Sequence, residues 1–219
     1  MRAIVRTADA TRLELEGLVA VGDAGLSALA SPQDAVPSAD SDALRAHERI
    51  TGRIHGAMPS LPSRFGQFFR DEASLRAALR ERRAALLGEL DRVGSGAEMS
   101  VTLAWREPRD HARTAQTAKT AQTARPHTGR QFLEAKAAHH GEQRDAERVV
   151  ARFVDHLAVD QATLRHAICP RAGVAAIVAV LIARDGAETL RQKVVSFEQG
   201  SSDVTARVYG PKPPYSFAS

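Results

Sequence analysis

The residues best suited to chemistry by type and spacing are His139, His140 and Glu142, in the segment His139-His140-Gly141-Glu142. Imidazole and carboxylate groups at such close spacing are typical zinc ligands. Adjacent residues on a helix point about 100° apart, however, and the sequence contains no His-Glu-x-x-His pattern. We therefore interpret the segment as the polar surface of a helix and expect no metal site there.

Other motifs of catalysis and nucleotide binding are also missing. Gly94-Ser95-Gly96 resembles a dinucleotide-binding loop, but it follows a predicted helix, enters a predicted strand and lacks the third glycine. The sequence has neither a P-loop nor a Gly-x-Ser-x-Gly nucleophile elbow. Its single cysteine, Cys169, excludes an internal disulfide and is predicted to be a buried thiol. We predict a protein that is not an enzyme and needs no cofactor.

Composition and charge limit the class of protein. The chain has 219 residues, of which 43% are hydrophobic and 26% charged, which suits one large or two small globular domains. A net charge of +4 and a pI of about 9.7 leave a basic nucleic-acid-binding module as the alternative class. Aromatic residues make up only 5% of the chain, which is few for base stacking. We expect no nucleic-acid partner.

Apolar runs are too short for a membrane segment. The longest, residues 174–183, has about half the length that spans a bilayer. Near the start of the chain, Arg2 and Arg6 flank only a short apolar trio, where an export signal needs a longer one. We expect a soluble, cytoplasmic protein without a membrane partner.

In the first half of the chain, the pattern predicts an antiparallel sheet with helices on one face. Apolar segments at residues 3–5 and 18–21 are predicted strands, and residues 98–105 alternate clearly. The segment Leu61–Phe69, with three phenylalanines and one glycine, is predicted to be a strand. Phe68 breaks its alternation, and Gly66 permits a bulge or a close backbone approach.

Two helices are predicted between these strands. Ser41 is the expected N-cap of the first, in which His47 and His55 are predicted to be partly exposed. Asp71 is the expected N-cap of the second, a single long helix with leucines at heptad-like spacing that ends near Val93.

Composition changes abruptly after this half. The hexapeptide Thr114–Lys119 is repeated almost unchanged as Thr120–Arg125, and neither copy has a large apolar residue. Such a segment cannot bury enough surface to fold alone. We therefore predict an N-terminal α+β domain over residues 1–107, a low-complexity linker over 108–128 and a smaller C-terminal α+β domain over 129–219.

The C-terminal domain is predicted to end in an extended arm, residues 210–219. Before it, the pattern predicts helix, strand, strand, helix, strand, including a buried strand at residues 174–183. The prolines of the arm favour a stiff, extended chain. Because the arm carries Tyr215 and Phe217, we expect it to be docked, either on the protein's own domain or on a partner.

Four segments together resemble the gas vesicle protein F/L family (GvpF/GvpL), accessory proteins of gas vesicle formation. Leu61–Phe69 is similar to the family's LPLRFGxxF segment, Gly96–Val101 to its glycine–glutamate strand start, Gly129–Lys136 to its GxxYLxxK helix start, and Gly210–Phe217 to its closing GPWPPYSF. The segments occur in the family's order. Lys212 stands where the family usually has tryptophan, and Phe132 replaces a tyrosine.

The resemblance implies a two-domain α+β fold with a ferredoxin-like N-terminal domain. It also implies a non-enzymatic role in gas vesicle assembly, as a minor vesicle component that binds the small hydrophobic shell protein GvpA and other accessory proteins. The candidate partner-binding residues are Arg64, Phe65 and Gly66, with Tyr215 and Phe217 on the arm. The alternative, that these residues hold the two domains together, remains open.

Overall fold

The computed structural model describes residues 1–10, 17–33, 35, 38–107, 129–171 and 173–218. Within these ranges the chain forms two four-stranded antiparallel sheets with helices, which confirms the predicted α+β class. It divides into two compact units. The first comprises residues 1–98, 181–184 and 211–219, and the second comprises 99–180 and 185–210.

The first sheet has the strand order β2-β3-β1-β4, with antiparallel neighbours throughout. Its strands are β1 (Ala3–Arg6), β2 (Val19–Asp23), β3 (Leu26–Ala30) and β4 (Leu61–Pro62). Strand β3 was not predicted. It follows β2 through the two-residue turn Ala24-Gly25, where both residues have positive φ, as a type I′ hairpin turn requires.

The helices of the first unit are α1 (Thr7–Ala10), α2 (Ser41–Ala57), α3 (Glu72–Glu81) and α4 (Arg83–Val93). The N-cap of α2 is Asp40 rather than the predicted Ser41, because the Asp40 carboxylate accepts from two backbone N–H groups of the first turn. The Asp71 cap is confirmed, in a capping box with Ser74. The predicted single helix after it is divided into α3 and α4 at Arg82.

The second sheet has the strand order β6-β7-β5-β8. Its strands are β5 (Ala97–Trp105), β6 (Leu164–Arg171), β7 (Val174–Ile182) and β8 (Val204–Lys212), and the helices are α5 (Gly129–Leu157) and α6 (Ala187–Gly200). Strand β5 was predicted to belong to the first sheet, which is wrong. The unpredicted β3 occupies the central place there, and β5 lies between β7 and β8 instead.

Among the described elements, both sheets follow the chain order strand–helix–strand–strand–helix–strand, which is the order of the ferredoxin-like motif. In the first unit, Val5, Leu29 and Ile54 join β1, β3 and α2 in one apolar cluster. In the second, the Phe153 and Phe197 rings of α5 and α6 meet edge to face, with their centroids 4.9 Å apart. Burial of apolar side chains between sheet and helices therefore stabilises each unit.

Some predicted features lie outside the described residues. They are the low-complexity linker at 108–128 and the side chains of Phe132, His139 and Cys169. The boundaries of the predicted domains, at residues 107 and 129, therefore stay predictions.

Candidate partner-binding site

The buried side chain of His47 positions the segment Ser63–Phe69, which we call the aromatic loop. His47 Nδ1 lies 2.9 Å from Arg2 Nη1, and its Nε2 lies 2.9 Å from the carbonyl oxygen of Ser63. Arginine can only donate, so Nδ1 accepts, and Nε2 carries the proton and donates to Ser63. The His47 ring also contacts Phe65 edge-on, with centroids 5.6 Å apart. A neutral His47 thus holds the start of the loop.

Burial makes this neutral state favourable. It lowers the pKa of His47, and the nearby Arg2 charge lowers it further. The prediction that His47 and His55 are partly exposed is wrong, since only 4% and 5% of their surfaces are exposed. The sequence showed two polar side chains on a helix, but their hydrogen-bond partners belong to distant segments.

The aromatic loop brings Arg64, Phe65 and Gly66 together in one turn, closed by a 3.3 Å hydrogen bond from Gln67 N to the Arg64 carbonyl. Gly66 has φ of +80°, and no atom lies within 4 Å of the place where a Cβ would stand. Glycine is therefore needed for the backbone conformation rather than for space. The predicted strand Leu61–Phe69 is right only at Leu61–Pro62, because this turn follows it.

The exposed side chains of the loop are Arg64, Gln67 and Phe68. Phe68 is 46% exposed, and Phe65 is half-buried against His47. Among the described residues, the Arg64 side chain forms no hydrogen bond or ion pair. Sequence analysis missed Phe68 as a site residue, although it is the phenylalanine that breaks the alternation of the segment. The loop therefore presents an aromatic ring and a cation to solvent.

The C-terminal residues Tyr215 and Phe217 form a short 3₁₀-helix within the first unit. Phe217 is 2% exposed, and its carbonyl oxygen accepts from Arg92 Nη2 at 2.8 Å. The Tyr215 hydroxyl is buried without a hydrogen-bond partner among the described residues. The neighbouring Thr51 hydroxyl donates to the His47 carbonyl oxygen. Burial raises the pKa of Tyr215, and Thr51 acts in the opposite direction. These aromatic side chains pack inside the unit, and their role in partner binding stays a prediction.

A buried carboxylate connects this segment to β5. Glu98 has no exposed surface. Its two oxygens accept from Ser216 N at 2.7 Å and from Ser216 Oγ at 2.9 Å, and Lys212 Nζ lies 3.2 Å from Oε1. Burying a charge is costly unless it is paired and hydrogen-bonded, and these groups satisfy that condition. Sequence analysis did not single out Glu98, which stands beside Ser100 and Thr102 on the polar parity of β5.

Gly96, just before Glu98, lies where the backbone is tightly packed. A Cβ there would stand 3.0 Å from the carbonyl oxygen of Val93 and 3.1 Å from that of Ile182. The Gly96 carbonyl oxygen also lies 2.9 Å from His55 Nε2. A side chain at this position would therefore press against two backbone carbonyl oxygens, which must shift to admit it.

We expect Gly96→Ala to lower the free energy of unfolding by about 1–3 kcal/mol, as other overpacking substitutions do. Denaturant unfolding measures this value. Gly52→Ala, inside α2, is the matched control, because nothing lies within 4 Å of its Cβ position. Since alanine favours a helix over glycine, the control should be unchanged or more stable. Equal effects of the two substitutions would contradict the packing at Gly96.

Neither a metal site nor a membrane helix is found in the part of the chain that the structure describes. No three His, Cys, Asp or Glu side chains there form a group that could hold a metal ion. None of the described helices is long and apolar enough to cross a membrane.

Comparison with solved structures shows which fold this is. The crystal structure of the gas vesicle protein GvpF from Anabaena sp. PCC7120 matches with a TM-score of 0.71 at 16% identity, covering 100% of this chain and 96% of that one. GvpF from Microcystis aeruginosa matches with a TM-score of 0.70 at 17% identity, covering 92% and 88%. At this identity the likeness shows the fold.

Sequence comparison shows the family. No curated protein matches the sequence significantly. The family model described as gas vesicle synthesis protein GvpL/GvpF matches residues 3–219, which confirms the resemblance found in the four segments. The chain therefore belongs to the GvpL/GvpF family of gas vesicle synthesis proteins.

Proposed function

We propose that this protein binds the small hydrophobic shell protein GvpA and assists the nucleation or assembly of gas vesicles. It acts as a non-enzymatic accessory protein at the gas vesicle in the cytoplasm, becomes a minor vesicle component and contacts other accessory proteins there. The family match over residues 3–219 supports a role in gas vesicle formation. The observation that carries the binding proposal is the exposed Phe68 on the aromatic loop.

The chemistry of the aromatic loop suits an apolar partner. A shell protein that will face gas exposes apolar surface before assembly, and a binder could cover that surface. Phenylalanine and arginine are both enriched in the cores of protein interfaces. Phe68 supplies the apolar area, and the free Arg64 can pair with a carboxylate or carbonyl group of the partner.

The position of the loop favours binding as well. Ser63 and Phe65 are held by the buried His47, and Gly66 closes the turn. Little conformational freedom is then lost on binding, and a rigid aromatic anchor binds more tightly than a mobile one. We therefore place the shell-protein contact at Arg64, Phe65, Gly66 and Phe68.

We expect Phe68→Ser to reduce retention of co-expressed GvpA about tenfold or more, as removal of an interface anchor does. Stability should change little, because the side chain is 46% exposed. Val195→Ser on α6 is the matched control, since Val195 is an apolar residue that is 51% exposed. A pull-down at low and high salt, with melting curves of both variants, provides the measurement.

Each outcome of this pull-down is informative. Retention of GvpA by the wild type at high salt supports an apolar interface, because salt screens charges but does not weaken apolar burial. Absence of retention at both salt concentrations would overturn GvpA binding. Equal losses for Phe68→Ser and Val195→Ser would remove the aromatic loop from the proposed interface.

A further inference from the structure

The C-terminal 3₁₀-helix Tyr215–Phe217 contacts β4, and β4 leads directly into the aromatic loop. Helix α2 supports both segments, since Thr51 neighbours Tyr215 while His47 holds Ser63 and Phe65. The C-terminal segment, β4 and the aromatic loop are therefore connected by direct contacts within the first unit. A displacement of the C-terminal segment can therefore be transmitted to the aromatic loop through β4.

We propose that Pro211–Phe217 is a strap that holds β4 and the aromatic loop in place, and that the Glu98 carboxylate is its lock. The strap itself follows from the contacts of the first unit. Its regulation of partner binding rests on the function proposed above.

The lock consists of charge-assisted contacts at both ends of the strap. Glu98 accepts two hydrogen bonds from Ser216 near the end of the strap and pairs with Lys212 near its beginning. Hydrogen bonds to an ionised group are about twice as strong as neutral ones. The Glu98 side chain is 1% exposed, whereas that of Lys212 is 41% exposed. One partner of the lock is thus buried, and the other is reached by solvent and salt.

The strap begins at a glycine. Gly210, with φ of +121°, lies within β8 just before Pro211, and glycine adopts this backbone conformation without the cost that other residues incur.

Lys212 makes the lock sensitive to salt. It pairs a half-exposed cation with a buried carboxylate. An apolar anchor is insensitive to ionic strength, but an ion pair with an exposed partner is screened by salt. The strap, and with it the order of the aromatic loop, should therefore respond to salt.

Amide hydrogen exchange of the full chain, without any partner, tests the strap. We expect Lys212→Met to speed exchange at residues 61–69 about tenfold, because the buried Glu98 carboxylate then loses its ion pair with Lys212. Arg76→Met is the matched control, since Arg76 pairs with Glu72 on the surface of α3 with both side chains exposed. Exchange of the β3 amides at 26–30, in the same unit, reports unfolding of that unit in the same sample.

The salt response tests the charge of the lock. Exchange at residues 61–69 should become faster in the wild type as salt rises, because salt screens the Lys212–Glu98 pair. In Lys212→Met, which lacks this ion pair, exchange at these residues should not depend on salt. Exchange at residues 61–69 that is the same in the wild type and Lys212→Met, relative to β3, would overturn the strap. A salt response that is equal in Lys212→Met and the wild type would overturn the lock.

The result also separates this proposal from GvpA binding. Faster loop exchange in Lys212→Met, together with a wild type that does not retain GvpA, would keep the strap and overturn its role in binding. A wild type that retains GvpA while Lys212→Met retains it equally, despite faster loop exchange, would overturn the regulation.

Discussion

Replacement of Phe217 by alanine is expected to lower the free energy of unfolding by about 3–5 kcal/mol, the usual cost of deleting a buried phenylalanine. The side chain is only 2% exposed, so the substitution removes apolar burial and leaves a cavity. The Arg92 contact is made to the Phe217 backbone and survives in principle, but it would then hold a segment without its apolar anchor. Denaturant unfolding with a linear extrapolation gives the value.

Phe68→Ala is the control for this experiment. It deletes the same side chain from a position that is 46% exposed, and its effect on stability should be within about 1 kcal/mol. The two phenylalanines thus separate stability from binding, since Phe68 should affect GvpA retention and Phe217 should affect unfolding. A Phe217→Ala variant as stable as the wild type would contradict the packing of the C-terminal segment.

Acidification below about pH 6.5 is expected to destabilise the protein through His47 and His55. Both are buried, and burial lowers the pKa of each. Positive charges lower these pKa values further, from Arg2 and the N-terminus at His47 and from Arg184 at His55. Hydrogen bonds act in the opposite direction, to Ser63 at His47 and to Gly96 and Ser60 at His55, as does the Glu48 charge at His47. Both rings are therefore neutral in the folded protein at pH 7.

The sign of the pH effect follows from these shifts. Because the folded-state pKa values lie below the unfolded value of about 6.5, the unfolded chain binds more protons in this range. Stability is complete above pH 6.5 and is lost as the pH falls through the folded-state values. The slope is at most about 1.4 kcal/mol per pH unit for each histidine. Urea midpoints between pH 7.5 and pH 5 measure it, above the range where carboxylates titrate.

A pair of variants assigns this effect to its residue. His47→Gln removes one buried imidazole, so it should reduce the slope between pH 6.5 and pH 5, whatever it does to stability at pH 7.5. His156→Gln removes an exposed histidine of α5 and should leave the slope as it is in the wild type. If the urea midpoint of the wild type does not change between pH 7.5 and pH 5, protonation of the two buried histidines does not affect stability.

Local pattern was sufficient for much of the fold. The Asp71 N-cap was predicted correctly, because the capping box depends only on Asp71 and on Ser74 three residues later. The alternation of β5 also revealed that strand, but not its neighbours, because alternation reports which side chains share a face and not which strand lies alongside. Strand β3 was missed because four of its five residues are buried, so that it lacks an alternating pattern.

The site was less predictable because its contacts are between distant residues. Glu98 and Ser216 are 118 positions apart, and His47 and Arg2 are 45 apart. Glu98 shares its strand face with Ser100 and Thr102, so the local pattern predicts an exposed residue. It is buried because it binds Ser216 of the C-terminal segment. Phe68 was visible as an irregularity in the sequence, but its exposure depends on the turn at Gly66.

The membership of residues 211–219 in the first unit also has a consequence for biosynthesis. Strands β1 to β4 leave the ribosome early. The apolar residues that pack around Phe217 stay uncovered until the chain has been translated to that residue. At about 5–20 residues per second, the interval after residue 98 is on the order of ten seconds. Throughout it, the nascent first unit exposes apolar surface that chaperones can bind. Translation through Phe217 therefore completes a unit whose strands β1 to β4 were made much earlier.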